Sequence, residues 1–226
     1  MVSSDPSGLS IIVFLGPSLD LQAARSVLPD AEYFPPASRG DIEKAVSAGA
    51  DIICLIDGVF FEQCSVGHRE ILGALRQGVK VFGASSMGAL RAFEMKSFGM
   101  VGIGQVFDLY DQNILESDDE VAIVCDPFSN QPLSEALVNI RATLQKAESD
   151  SILTSEECGL FLKEAVSTYY PERTYSFLIE KIKSSGVIEE SSLLRFEEWI
   201  LKGNAADIKK EDAISLLRFV QKSIQK

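Results

Sequence analysis

The sequence predicts an α/β fold: a mostly parallel sheet with flanking helices in βαβ units, followed by an α-helical C-terminal region. Three observations carry this prediction. Short runs rich in Ile, Val and Phe recur through the first half, and each ends at a turn signal. Helix-like segments separate those runs, so consecutive strands need crossovers and pair in parallel. From Pro132 onward the pattern is helical to the last residue.

The first strand is SIIVFL (10–15), stopped by Gly16-Pro17-Ser18, and the helix SLDLQAARSVL (18–28) follows. AEYF (31–34) reads as a further strand before PPASRGD, and RGDIEKAVSAG (39–49) as the next helix. DIICLI (51–56) is a strand closed by Asp57-Gly58. VGHREILGALRQG (66–78) is amphipathic, with Ile71, Leu72 and Leu75 on one side and Gly78 as its stop. VKVF (79–82) then runs into Gly83-Ala84-Ser85. In 99–127 no clear strand feeds glycines 99, 102 and 104 into a helix, and GxGxxG is absent, which excludes a dinucleotide fingerprint. ESDDE (116–120) reads as a solvated acidic turn before a strand, VAIV; a metal or general-acid role is the alternative. LSEALVNIRATLQKAESD (133–150) and TSEECGLFLKEAVSTYY (154–170) are periodic, with Ser134 and Thr154 as N-caps. Two domains are expected: an α/β core over 1–131 and a helical region over 132–226.

Composition narrows the function classes. A formal charge of −12 over 226 residues opposes nonspecific binding to nucleic acid, whose phosphates need a basic surface. No apolar run reaches the ~18 residues of a membrane span. LSIIVFL is too short for a signal peptide and follows an acidic residue, Asp5, so the cytoplasm is the expected compartment. The four cysteines are scattered without CxxC spacing, which fits reduced thiols and no structural zinc. No metal and no cofactor is expected. Cys54 reads as a small buried hydrophobe, and Cys64 is the one thiol considered for reactivity.

In an open parallel sheet, ligands bind beyond the carboxyl ends of the strands. Ser18, Asp57, Ser85 and Ser86 all fall just past such ends, and Arg39, Asp41 and His68 near helix starts approach the same edge. Ala84-Ser85-Ser86-Met87-Gly88 is half of a nucleophile elbow, with Ala where the first glycine usually sits. The small residues suit a tight strand-to-helix turn, and the first helix amides offer donors to an oxyanion. A serine N-cap is the competing interpretation. A serine nucleophile needs a base. His68 is the lone histidine and stands at a helix start. Lys80, at the far end of the strand, lies about 18 Å from Ser86, and Lys96 roughly 15 Å away. Lys44 and Lys146 stay open as bases, beside His68.

The motifs FLGPSL, PPASRGD, LIDGVF, HREILGAL, GVKVFGASSMGALRAFE, GMVGIG and DDEVA occur in this order and resemble the core of the TfuA-like proteins. LSEALVNIRATLQKA and YYPERTY resemble the extended form found beside YcaO enzymes in methanogenic archaea. The resemblance covers roughly residues 11–125 and continues weakly beyond; the last fifty residues match no motif. It implies an accessory role in peptide backbone thioamidation, associated with thioglycine in methyl-coenzyme M reductase. YcaO activates the amide with ATP, and a ThiS-type carrier ending in a thiocarboxylate provides sulfur. The TfuA-like partner is implied to hydrolyse that thiocarboxylate at a serine–lysine type site and to help YcaO engage its peptide. Carried onto this chain, the nucleophile is Ser86, with His68 and Arg69 at the motif where relatives read His-Lys-Glu. An arginine does not deprotonate, so Arg69 positions charge rather than taking a proton. Ser18, Arg39, Asp57, Ser85 and Arg91 are the expected substrate-binding residues. The alternatives from other classes are a noncatalytic adaptor of YcaO and its peptide, and a generic serine esterase.

Overall fold

The computed structural model describes residues 8–60, 64–126 and 131–225. Contacts divide the chain into two compact units, Met1–Glu116 with Lys209–Lys226, and Ser117–Ile208. The strands are β1 (Ile11–Phe14), β2 (Glu32–Phe34), β3 (Ile52–Leu55), β4 (Lys80–Ala84) and β5 (Val101–Ile103). The helices are α1 (Leu21–Val27), α2 (Asp41–Ser47), α3 (His68–Arg76), α4 (Met87–Met95), α5 (Gln105–Asp111), α6 (Leu137–Ser149), α7 (Ser155–Ser167), α8 (Tyr175–Ser185), α9 (Glu190–Trp199) and α10 (Ile208–Ile224).

The first unit is the expected α/β fold, with all five strands parallel in the order β2-β1-β3-β4-β5. Its strands are apolar at nearly every position because helices cover both faces. Ile12, Phe14, Ile53, Leu55 and Val81 point to one face, where Ile42 and Ala45 of α2 and Ile71 and Ala74 of α3 cover them. Ile11, Val13, Ile52, Cys54, Phe82 and Ala84 point to the other, under Ala24 of α1 and under Ala213, Leu216, Leu217 and Val220 of α10. The last helix is therefore part of the sheet unit, and each buried Leu or Val of that stripe contributes about 2 kcal/mol. Burial pushes the Cys54 thiol up to about 12, so it behaves as the small hydrophobe its neighbours suggest.

Several local expectations need correction. The first helix starts at Leu21 rather than at Ser18, and Asp20 caps it by accepting from the Ala23 amide. VAIV forms no strand: only Cys125 bridges to Pro132, and the Val124 amide donates to Ser134 Oγ. That hydroxyl is thereby spent, and α6 starts later, after Ala136. Thr154 does cap α7, in a reciprocal box with Glu157. The acidic run is solvated only in part: Glu116 and Asp118 are exposed, whereas Glu120 makes a bidentate pair with Arg141 and Asp119 pairs with the buried Arg173, both within the second unit. That unit is a helical cluster around Leu137, Ile140, Phe161, Leu178, Ile182 and Phe196.

The glycine segment also differs from expectation, since β5 does feed Gly104 into α5. Gly104 has φ +100°, and a Cβ there would lie 2.3 Å from Asp212 Cγ. The Asp212 carboxylate of α10 occupies that cradle, accepting from the Gln105 and Val106 amides at 2.8 Å each. The glycine thus seats a carboxylate of its own chain. Burial pushes Asp212 up to about 6 against those two amide bonds, with Asp108 and Glu211 adding to the rise. A carboxyl raised from 3.8 takes up its proton more readily folded than unfolded, so its contribution is full below pH ~4 and is lost as pH rises through ~6, about 3 kcal/mol in all. Urea titrations of Asp212→Asn between pH 4 and 6.5 are expected to show a pH slope shallower by one proton, about 1.4 kcal/mol per pH unit.

Candidate active site

The order β2-β1-β3-β4-β5 reverses direction at β1 and β3, so the crevice beyond their carboxyl ends is where such sheets take ligands. Asp57 stands there, 2 % exposed, and closes the turn after β1. Its Oδ2 accepts from the Gly16 amide at 2.8 Å and the Ser18 amide at 3.2 Å, and its Oδ1 from Ser18 Oγ at 2.7 Å. Ser18 and Asp57 are thus brought together as a clasp between two adjacent strand ends.

The next strand end carries the serines. Ser85 takes φ +70°, a region that costs a non-glycine residue about 1–3 kcal/mol. The Ser86 amide donates back across it to Ala84 O at 2.8 Å, which makes a γ-turn with Ser85 at its centre. Ser85 Oγ is buried and has no hydrogen-bond partner among the described residues. Ser86 is the N-cap residue of α4, yet its hydroxyl makes no capping bond to the helix, so the plain N-cap role does not account for it. Gly88 lets α4 sit directly on the end of β3, where its amide donates to Ile56 O at 3.1 Å. That contact sets the serine turn beside Asp57.

The other expected residues gather around the starts of α2 and α3. Arg39, Glu43, His68, Arg69 and Glu70 line one open cavity of about 630 Å³. Glu70, which the sequence does not single out, organises it. Its Oε1 accepts from the Gly67 amide at 2.7 Å, and its Oε2 from the Gly40 and Ile42 amides at 3.0 and 3.2 Å. The carboxylate so ties two helix starts together, a long-range role that local spacing does not reveal. His68 Nε2 lies 2.9 Å from Glu94 Oε2, and the same oxygen takes Arg91 Nη1. Arg91 Nε donates to Val66 O at 2.9 Å. His68 and Arg91 are therefore joined through Glu94 in a bridge from α3 to α4.

Of the lysines left open by the sequence, Lys44 lies on α2 and Lys146 in the second unit. Lys44 Nζ pairs with Asp41 at 2.8 Å with its side chain 78 % exposed. Lys146 belongs to the second unit, where it meets Asn204 O at 3.0 Å and the Trp199 ring. Lys209, at the start of α10, is a buried lysine that the sequence reading missed. The signal was present: Lys209, Asp212, Ala213, Leu216, Leu217 and Val220 fall at i, i+3, i+4, i+7, i+8 and i+11, so Lys209 lies on the buried stripe. No group of acidic, histidine or cysteine side chains suited to a metal ion occurs among the described residues, and no helix among them is long and apolar enough to cross a membrane.

The family model of the TfuA-like proteins matches residues 57–174, just over half of the chain. The chain belongs to the TfuA-like family. Membership is consistent with an accessory role in thioamidation and with partnership with a YcaO protein. No curated protein matches the chain. The matched residues of this TfuA-like chain run from just past the carboxyl end of β3, through the His68 motif and the serine turn, to Thr174. They leave out β1 with Ser18, the loop with Arg39, and α10 with Lys209 and Asp212.

Proposed function

We propose that this TfuA-like chain hydrolyses the C-terminal thiocarboxylate of a ThiS-type sulfur carrier, with Ser86 as nucleophile. The sulfide goes to YcaO for backbone thioamidation, thioglycine of methyl-coenzyme M reductase being the product, and the chain also helps YcaO engage its peptide. The observation that carries the reading is the turn at Ser85 and Ser86. A strained γ-turn at the end of a parallel strand holds a serine that stands at a helix N-terminus without capping it. Of the nearby amides, Ser86 N and Gly88 N are spent on Ala84 O and Ile56 O, so the Met87 amide is the candidate oxyanion donor. The thiocarboxylate is anionic, and Arg39 and Arg69 are the cationic side chains of a cavity that also holds Glu43 and Glu70. Arg91, tied to Glu94 and to Val66 O, is a further substrate-binding candidate, held on α4 beside His68.

Ser86→Ala is expected to keep the fold, judged by its circular dichroism and melting curve. It should slow hydrosulfide release from a thiocarboxylated carrier by 10³-fold or more, as loss of a nucleophile does. Release by the alanine variant at the wild-type rate would remove Ser86 from the reaction. If the wild-type protein releases no hydrosulfide but stimulates YcaO, the adaptor role replaces the hydrolase. Cleavage of simple thioesters at rates matching the carrier would favour the generic esterase.

A further inference from the structure

The wild-type chain must supply a base for Ser86; Arg69 does not deprotonate, and the Nε2 of His68 is held by Glu94 in the bridge from α3 to α4. We propose that Lys209, carried by α10 from outside the matched family region, is that base; this rests on Ser86 hydrolysing the thiocarboxylate. Lys209 is 3 % exposed, on the same helix stripe that packs the sheet. The lie of α10 follows from two fixed points. The Phe219 and Phe82 rings meet at 5.5 Å at mid-strand, and Asp212 meets the Gln105 and Val106 amides past the end of β5. Toward lower numbers α10 therefore advances to the carboxyl edge, and Lys209 lies one further turn beyond Asp212, about 4.5 Å along the axis.

That turn overhangs the strand end carrying the serines. Ala84 is the register partner of Ile103, one strand spacing of about 4.8 Å away, so the serine turn and Gly104 leave adjacent strands at the same end. Ala84 also packs in the cluster that α10 covers, which places Lys209 and the serine turn at one corner of one face. Lys209 carries its amine on a flexible four-carbon stem, and a buried lysine amine is the kind that acts as a base. Asp212 acts as a positioning residue: its seat in the Gly104 cradle sets how far α10 extends past the edge.

The chemistry balances. Neutral Lys209 Nζ takes the Ser86 hydroxyl proton as Oγ bonds to the thiocarboxylate carbon. The tetrahedral intermediate collapses, the C–S bond breaks, and hydrosulfide leaves with the proton returned from Lys209. Water then adds to the acyl-serine with Lys209 again holding the proton, and the carrier departs as a carboxylate with Ser86 regenerated.

The test uses the full chain with a thiocarboxylated carrier and single-turnover release of hydrosulfide. Lys209→Arg, Lys209→Met and Lys209→Ala are each expected to lose about 10³-fold in rate, the size of a general-base contribution. Added methylamine or ethylamine should restore Lys209→Ala in proportion to amine concentration and basicity, and should not restore Ser86→Ala. Wild-type-like hydrolysis by Lys209→Arg, or a folded Lys209→Ala that no amine restores, overturns Lys209 while leaving Ser86 hydrolysis standing. Absence of hydrolysis in the wild type overturns the parent reading, and this inference with it.

Discussion

Gly88→Ala is expected to destabilise the sheet unit by about 3 kcal/mol and to displace Ser86 with it. A Cβ at Gly88 would stand 1.8 Å from Leu55 O and 2.6 Å from Leu55 C, both backbone atoms of the central sheet. No rotamer change relieves such a clash, so the first turn of α4 must lift away from β3. The Gly88 amide then loses Ile56 O, and the γ-turn before it loses its support. Urea unfolding followed by circular dichroism measures the loss. Gly73 provides the contrast, being a glycine inside α3 with nothing within 4 Å of a built Cβ. Gly73→Ala is expected to stabilise by about 0.5–1 kcal/mol, because alanine is the better helix former. An unchanged Gly88→Ala protein would mean that α4 does not depend on close approach to β3.

Arg173→Met is expected to remove about 4 kcal/mol from the second unit, the cost of breaking a buried charge pair. Arg173 is fully buried, and its guanidinium donates to Ala165 O, Thr168 O, Asp119 O and Asp119 Oδ2. Its own carbonyl accepts from the Glu135 amide. It thus ties the acidic turn, the end of α7 and the approach to α6 into one body. Burial raises the Asp119 carboxyl, but hydrogen bonds from Ser117 and Arg173 outweigh it and hold the group below its usual range. A lowered carboxyl contributes stability above its unfolded value and loses it in acid, so the variant should show a flatter acid limb as well as a lower midpoint. Hydrogen exchange resolves the location: faster exchange is expected across 117–208, with β1, β3 and β4 unaffected. Lys at this position keeps the charge but replaces a fork of donors by one ammonium, so Arg173→Lys should recover only part of the loss.

Much of the sheet unit was legible because buried parallel strands read as short apolar runs and their turns carry Gly, Asp and Ser. AEYF as β2, the amphipathic α3 with its Gly78 stop, and the positions of Ser18, Asp57, Ser85 and Ser86 past strand ends all follow from that pattern. β5 was not legible, since Val101-Gly102-Ile103 is too short and too glycine-rich to stand out. VAIV misled in the opposite sense: an apolar run is a strand only when a neighbour offers a ladder, and Val121 and Ala122 are buried without one. The acidic run hid its role because Arg141 and Arg173 lie far along the chain.

The sequence by itself determined the parallel α/β class, the helical character of the second half, the TfuA-like motifs and the serine turn, all of which depend on neighbouring residues and their periodicity. Only the tertiary structure decided that Ser85 bears the strain while Ser86 stands at the cap without capping. It alone showed Glu70 holding two helix starts, and Asp212 seated in the Gly104 cradle. It also returned α10 to the sheet and so brought Lys209 to the serine corner. The Asp212 contact alone joins residues 107 positions apart, and a pairing of that reach is set by which buried polar groups can satisfy one another once the core has closed.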